Sequence, residues 1–300
     1  MGTITTITGS MANMPEELIN DIFSKVQGHS SLAKLSTQIP VPFAGTEEMT
    51  FSLDNEVSIV GEGENKPPHG ATWGSVVIRP IKMIYQHRLT DEFVYMSEEQ
   101  QLPYLAAFTD GFAKKIARGI DIAAMHGLNP YDRADASFKA TNSFDGLVTG
   151  NVVTYAAATA DVNIEDAVAA VQADDGVVNG IAMAPAFGTA LSKIKVNGVA
   201  QYPEFRFGQN PDAFYGIKSD VNNTVSVQGT ATGAVLDKAI VGNFRDAFKW
   251  GYAKNIPLEI IQYGDPDGLG DLKRKNQIVL RTEAFVGWGI LDPDSFAIIR

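Results

Sequence analysis

The sequence predicts an α+β fold in which a long helix and a long closing strand frame an α/β block, and a two-stranded arm extends from it. Three observations predict it. The closing segment 276–300 alternates with period two: Ile278, Leu280, Thr282, Ala284, Val286, Trp288 and Ile290 share one face, and Arg281, Glu283, Gly287 and Gly289 share the other. The segment 97–130 steps at three and four through Leu105, Phe108, Phe112, Ile116, Ile120 and Ala123, which is one buried helical stripe. Between residues 58 and 75 runs SIVGEGENKPPHGATWGS, with no helical period and strand-like sequence on both sides, FSLDNEVSIV before it and VVIRPIKMIYQHRL after it.

Residues 1–14 are rich in Thr, Gly and Ser and read as an extended arm. Residues 15–27 predict a short amphipathic helix. Pro15 suits its first turn, Glu16 and Glu17 favour the positive end of the dipole, Leu18, Ile22, Phe23 and Val26 share a face, and Gly28 stops it. A proline-interrupted stretch then leads into the two-stranded arm. An isolated hairpin is marginal in water, so this one is expected to lie on another copy of the chain.

The long helix has capping-box spacing at Ser97 and Gln100, Gly127 at its stop and Pro130 just beyond. Pro103 should kink its first turns or mark its start. About 25–30 residues give a rod of roughly 40 Å. A further helix is expected from Asn163 as cap, with Glu165 and Asp166 in its first turn. Residues 176–195 read as strand then helix, with Pro185 near the helix start. YGIKSDV, AIVGNF, AFKWGYA and PLEIIQYG read as strands. Gly287 and Gly289 flank Trp288 and leave one face of the closing strand bare, where something is expected to pack closely. DPDS then turns the chain into a final strand, FAII.

Composition narrows function by exclusion. The chain has no cysteine, which removes disulfides, thiolate catalysis and thiolate metal sites together. A net charge of −11 argues against a nucleic-acid binder, which needs Lys and Arg to displace counterions from phosphate. His29, His69, His87 and His126 show no metal-ligand spacing. The N-terminus lacks the basic and apolar regions of a signal peptide, and no apolar run is long enough to span a bilayer. G-x-S-x-G, H-E-x-x-H, Walker A and G-x-G-x-x-G motifs are absent from the sequence. GDPDGLGD carries Asp265, Asp267 and Asp271 at loop spacing, but without the alternating ligands and closing Glu of a calcium loop it reads as a β-turn. His87, beside Arg88 and Asp91, reads as a structural histidine, and Trp73, Trp250 and Trp288 as packing anchors. No catalytic residue, metal or cofactor is expected, and the chain reads as structural rather than enzymatic.

In order, these elements resemble the Hong Kong 97-type major capsid proteins of tailed bacteriophages. The resemblance covers nearly the whole chain. It is carried by GEGENKPPHGATWGSVVIRPIKMIYQHRLTDEFV, KKIARGIDIAAMHGLNP, VNGIAMAPAFGTALSKIK, VGNFRDAFKWGYAKNIPLEIIQYGD and QIVLRTEAFVGWGILDPDSFAII. It implies an N-terminal arm over 1–45 and an E-loop hairpin over 46–92. It implies a P-domain with the spine helix over 93–140, an axial A-domain over 141–262 and P-domain return strands over 263–300. The E-loop of this family lies over a neighbouring subunit, which puts Glu62, Glu64, Lys66, Pro67, His69 and Trp73 at a subunit interface. The implied protein self-assembles through pentamers and hexamers into an icosahedral shell around packaged double-stranded DNA. It is made in the bacterial host cytoplasm and ends in the virion, with no sequence-specific nucleic-acid binding and no membrane partner. An encapsulin-like nanocompartment shell has the same fold and is the alternative.

Some members weld their shells with a Lys–Asn isopeptide bond assisted by a Glu. Asn276 and Glu283 match the C-terminal part of that pattern, but Ser75 stands where the lysine is expected, just after Trp73 and Gly74. The resemblance therefore implies an inactive remnant. The chain begins close to the arm, so scaffolding is expected from a separate protein, or assembly without one, and a portal is a further expected partner.

Overall fold

The structure, a computed structural model, describes residues 29–53, 56–96, 98–230, 236–253 and 258–300. The helix expected over 15–27 and the cap at Ser97 lie outside these residues. The first described elements are α1 (Ser31–Leu35), β1 (Thr37–Gln38), β2 (Thr46–Leu53), β3 (Ala71–Ile78) and β4 (Ile81–Thr90). Next come α2 (Glu92–Tyr95), α3 (Glu98–His126), α4 (Phe144–Leu147), β5 (Val152–Val153), α5 (Ala160–Ala173), β6 (Gly180–Met183) and α6 (Pro185–Lys193). Small strands β7 (Lys195–Val196), β8 (Val199–Ala200) and β9 (Ala213–Phe214) lead to β10 (Ile217–Val221) and β11 (Ala239–Gly242). The chain closes with α7 (Phe244–Ala247), β12 (Phe248–Tyr252), β13 (Leu258–Ile261), β14 (Gln277–Ile290) and β15 (Phe296–Ile299).

Two sheets organise two cores. The first is five-stranded, in the order β1-β12-β14-β13 with β4 also paired to β14. The second is six-stranded, in the order β5-β15-β11-β6-β10-β9. The spine helix α3 packs Phe112, Ile116 and Ile120 into the first core with Leu280, Trp250 and Trp288. Helices α5 and α6 cover the second through Ile164, Ala167, Val171, Phe187 and Leu191. At 29 residues α3 is about 43 Å long. Pro103 lies inside it, so the helix starts before the proline rather than at it. Leu102, Pro103, Ala106 and Ala107 are exposed, so the missing ladder bond falls on a solvent-facing stretch, and from Ile120 to His126 every side chain is buried. Gly127 ends it at a φ of 61°, the left-handed stop that its position predicts. None of the described helices is long and apolar enough to cross a membrane.

β14 is the organising strand. Its even-numbered residues from Ile278 to Ile290 are buried, as period two predicts. One edge pairs with β4 from Ile81↔Val286 to Thr90↔Gln277. The other is shared by β12, which sets Trp250 against Trp288, and by β13. The bare glycine face is filled closely. A Cβ on Gly289 would lie 2.8 Å from Ile78, and one on Gly287 would lie 3.2 Å from both Ile78 and Val41. Trp288 donates from Nε1 to the Asn142 carbonyl at 3.1 Å, and Asn142 donates back to the Trp288 carbonyl at 3.0 Å.

Within 46–92 the strands divide between two sheets. β2 pairs with β3 from Thr46↔Ile78 to Leu53↔Ala71, the chain breaks at Arg79–Pro80, and β4 then joins the five-stranded sheet. Pro80 cannot donate to a ladder, and the partner of β4 lies nearly 200 residues on, beyond any local signal. The strands within 141–262 and within 263–300 are likewise divided between the two larger sheets. β12 and β13 belong with the spine helix, whereas β15 pairs antiparallel with β11 and parallel with β5 in the other block. Asn163 does not cap its helix. α5 begins at Ala160, and Asn163 instead accepts from Ala156 N at 2.9 Å and donates to the Thr154 carbonyl at 3.3 Å, tying down the preceding turn.

Candidate assembly interface

The β2–β3 hairpin is amphipathic, with its apolar face turned away from its own chain. Strand alternation and the Phe51↔Trp73 register put Met49, Phe51, Leu53, Trp73 and Val77 on one face. Phe51 and Trp73 meet edge-on at 5.7 Å, yet remain 59% and 66% exposed. Trp250 and Trp288 are packing anchors, as expected, but Trp73 is not one within the single chain. The opposite face carries Thr50, Thr72 and Gly74, which with part of Phe51 line an open cleft of about 540 Å³ facing Asn243, Asp246, Asp292 and Ser295. A monomer gains nothing from such an arrangement. Burying each of these large side chains against a partner is worth about 1.5–3 kcal/mol.

Beyond the stem, Val57 and Ile59 are almost fully exposed, at 90% and 100%. Glu62, Glu64, Lys66, Pro67 and His69 are exposed on the same tip, while Trp73 sits lower on the stem. The tip is closed by its own polar contacts. Gly61 N donates to Glu64 Oε2 at 3.1 Å, Glu64 N donates to the Gly61 carbonyl at 3.2 Å, and Ser58 Oγ meets His69 Nε2 at 3.1 Å.

Asn276 and Glu283 are not brought together. Seven residues along an extended strand separate them by about 23 Å. Asn276 is exposed at a φ of 50°, and its carbonyl accepts from Asp91 N at 3.0 Å. Glu283 pairs with Lys82 at 2.7 Å, and that ammonium lies 5.8 Å from the Phe285 ring centre. Ser75 lies on β3 opposite Met49.

The aspartate loop is taken up by an arginine. Arg88 donates from Nε to Asp267 at 2.7 Å, from Nη2 to Asp265 at 3.3 Å and to the Gly270 carbonyl at 2.8 Å. The guanidinium holds the Asp267 carboxyl down to about 2. Asp271 accepts from Arg274 N at 2.9 Å, closing the following turn. His87 is exposed on β4.

Two buried polar centres escaped sequence reasoning. Asp121, on the spine helix, is fully buried and accepts from Ser30 Oγ at 2.5 Å, Ser31 N at 3.0 Å, Leu32 N at 3.2 Å and Thr224 Oγ1 at 2.8 Å. It thus satisfies the free N–H groups that open α1 and bolts that helix to the spine. Burial pushes its carboxyl up to about 6 against these four donors. Asp121→Ala strands them, and we expect a loss of about 3 kcal/mol or more in urea unfolding. A rise from 3.8 to about 6 is worth about 3 kcal/mol of proton linkage. Because the folded value lies above the unfolded one, this contribution is complete below pH 4 and lost as pH rises through 6. The deficit of Asp121→Ala relative to the parent chain should therefore be larger at pH 4 than at pH 7.

The second centre joins His126, Asp145, Asp237 and Arg300. His126 Nδ1 faces Asp145 at 3.0 Å and Nε2 faces the Thr224 carbonyl at 2.9 Å, so both ring nitrogens meet acceptors. Burial is the largest single influence and opposes its charge, but the bond to Asp145, the Asp145 and Asp237 charges and the Thr224 carbonyl together raise its pKa. Burial and the adjacent Asp145 carboxylate raise Asp237. Arg300 spans Asp145 at 2.8 Å and Asp237 at 3.1 Å. The group of His126, Asp145 and Asp237 is compact enough to hold a cation, and the Arg300 guanidinium already serves as that cation. The centre pins the end of the spine helix to α4 and to the last residue.

A buried spine, polar centres built for fixation and an outward-facing apolar arm define a structural protein that works through its surfaces. Residues 12–300 match the phage capsid family. The fold is similar to a structure from Mycobacterium phage Ogopogo, with 33% identity over 91% of this chain and 92% of that chain and a TM-score of 0.78. A structure from Gordonia phage Cozz is 25% identical over 90% of this chain and 86% of its own, with a TM-score of 0.70. The capsid of an empty GTA particle shares the fold at 14% identity and a TM-score of 0.60, covering 90% of this chain and 89% of that chain. No curated protein sequence matches the chain. The chain belongs to the phage capsid family: it is a Hong Kong 97-type major capsid protein, a structural component of the virion that forms the capsid shell. The viral shell thus stands over the nanocompartment alternative.

Proposed function

We propose that residues 46–78 are the E-loop, laid over a neighbouring subunit, and that the shell closes from pentamers and hexamers into an icosahedron around packaged double-stranded DNA. The five-stranded sheet with the spine helix is the P-domain, and the six-stranded block is the axial A-domain. The observation that carries this reading is the uncovered apolar face of Met49, Phe51, Leu53 and Trp73. The net charge of −11 suits a shell that encloses DNA without adhering to it. A separate scaffolding protein and a portal are the further partners.

In this reading Glu62, Glu64, Lys66, Pro67, His69 and Trp73 are interface residues, and Asn276 and Glu283 are an inactive cross-link remnant. The lysine position holds Ser75, and Glu283 is engaged by Lys82. The chain expressed by itself should give rings or round shells by negative-stain electron microscopy. A small oligomer that stays small when scaffold is supplied would sink the assembly reading. Mature particles should run as a single monomer band on a denaturing gel, and a covalent ladder would overturn the inactive-remnant assignment.

A further inference from the structure

The tripeptide Val-Asn-Gly occurs twice, at residues 178–180 and 196–198, and the fold holds the two copies in opposite ways. The first enters the middle of the six-stranded sheet, where β6 lies between β11 and β10. Asn179 donates from Nδ2 to the Asn243 side chain, and its Oδ1 accepts from Arg245 N at 3.4 Å. Its backbone is fixed as well: Asn179 N donates to the Gly242 carbonyl at 3.1 Å, and the Asn179 carbonyl accepts from Lys218 N at 3.3 Å. Gly180 is buried against Phe244. The second copy forms the tip of the β7–β8 hairpin, which pairs only Lys195 with Ala200 and Val196 with Val199 and joins neither larger sheet. Asn197 and Gly198 are exposed at φ values of 51° and 84°, the tight turn that Asn-Gly favours. The Asn197 side chain makes no hydrogen bond among the described residues. Val196 and Val199 beside it are both exposed, and a Cβ on Gly198 would meet nothing within 4 Å.

We propose that Asn197 is a site of spontaneous deamidation, and that the fold shields the same tripeptide at Asn179 from it. Solvent hydroxide takes the amide proton of Gly198, and that nitrogen attacks Cγ of Asn197. The N–Cγ bond forms and the Cγ–Nδ2 bond breaks. The side-chain amide leaves as ammonia with a proton from water, which returns the hydroxide. Water then opens the cyclic imide. Cleavage of the N–Cγ bond gives aspartate with the main chain unchanged. Cleavage between that nitrogen and the Asn197 carbonyl carbon gives isoaspartate, with the main chain rerouted through Cγ. Either product adds a negative charge to a chain already at −11, so a preparation grows more acidic with age. Gly198 has no side chain to block the attack. The turn must leave its folded shape for the nitrogen to reach Cγ, so the rate follows the cost of local opening. At Asn197 the opening releases a short hairpin that is marginal by itself. At Asn179 it parts β6 from both neighbouring strands and breaks the side-chain bonds to Asn243 and Arg245.

The two copies of the tripeptide give the test an internal control. The purified full-length chain is kept at mildly alkaline pH over a time course, folded in buffer and unfolded in concentrated urea. Peptide mapping by mass spectrometry reads the amide-to-acid change at each asparagine, and chromatography separates isoaspartate from aspartate. In the folded chain, conversion at Asn197 should run at least about tenfold faster than at Asn179. In urea the shielding is gone, and the two sites should convert at comparable rates. Gly198→Ala should slow conversion at Asn197 several-fold, while circular dichroism and Tm stay near the parent values because the added Cβ meets no neighbour. Equal rates at the two sites in the folded chain overturn the proposal. So does an Asn197 that stays intact when folded yet converts in urea, because the hairpin then protects it. Undiminished conversion in Gly198→Ala also overturns it, because the step then does not run through that unshielded nitrogen.

Discussion

Phe51→Ser/Trp73→Ser yields a folded, soluble chain that no longer forms shells. Both side chains are mostly exposed in the single chain, so their loss removes little beyond one cross-strand aromatic pair, worth about 0.2–1 kcal/mol. In the shell each would bury a large apolar area, and losing both costs about 3–5 kcal/mol per contact. At about 1.4 kcal/mol per decade, each contact weakens by at least about 100-fold, and closure multiplies the deficit over every subunit. Electron microscopy reads the loss of shells, and thermal melting within a few degrees of the parent shows that the fold is kept. Abundant normal shells from this variant would show that the apolar face is not an assembly surface.

Gly251→Val prevents folding at the opposite extreme, inside the first core. Gly251 pairs with Gly287 across β12 and β14, and the chain entering the two-stranded arm crosses this glycine pair. A Cβ at 251 would stand 1.9 Å from the Ile39 carbonyl and 3.0 Å from Val41. The clash is with backbone, which cannot rotate away, and the same segment is held by Ile39 N donating to the Trp250 carbonyl at 2.8 Å. The extra carbons displace β1 from the sheet or distort β12. The expected cost is about 3 kcal/mol or more, beyond the usual range for overpacking and a large share of a typical domain's stability. Recovery of the variant in inclusion bodies, or a midpoint shift of that size in urea, checks it. A variant with parental stability would mean that the crossing segment is not fixed where it lies.

The elements set by local pattern were legible in the sequence. Period two marked β14, steps of three and four marked the spine helix, and Gly287 and Gly289 announced a close neighbour that proved to be Ile78 and Val41. The arm was legible as an element without a core of its own. Its extent was not, because nothing in IKMIYQHRLT distinguishes a second hairpin strand from a strand that pairs with β14. The crossing of β15 into the second sheet was hidden for the same reason. Asp121 carried no local signal, since its donors come from residues 30–32 and 224. His126, Asp145, Asp237 and Arg300 have no spacing that a motif could detect. At the proposed interface, the tip residues were named through the resemblance to a capsid family, not through any local pattern of their own.

The seat of Ile78 on Gly287 and Gly289 has a mechanical consequence. Ile78 is the last residue of the hairpin ladder and is wholly buried against the organising strand, and β4 then runs along that strand for ten residues. The arm is therefore a lever with its fulcrum on β14 rather than a tether on a free hinge. Tension at its far end reaches the fulcrum without loosening a linker, and the β4–β14 ladder resists it along its length, many hydrogen bonds sharing the strain. If the arm lies over a neighbouring subunit as proposed, load from that copy would enter the chain through the same fulcrum.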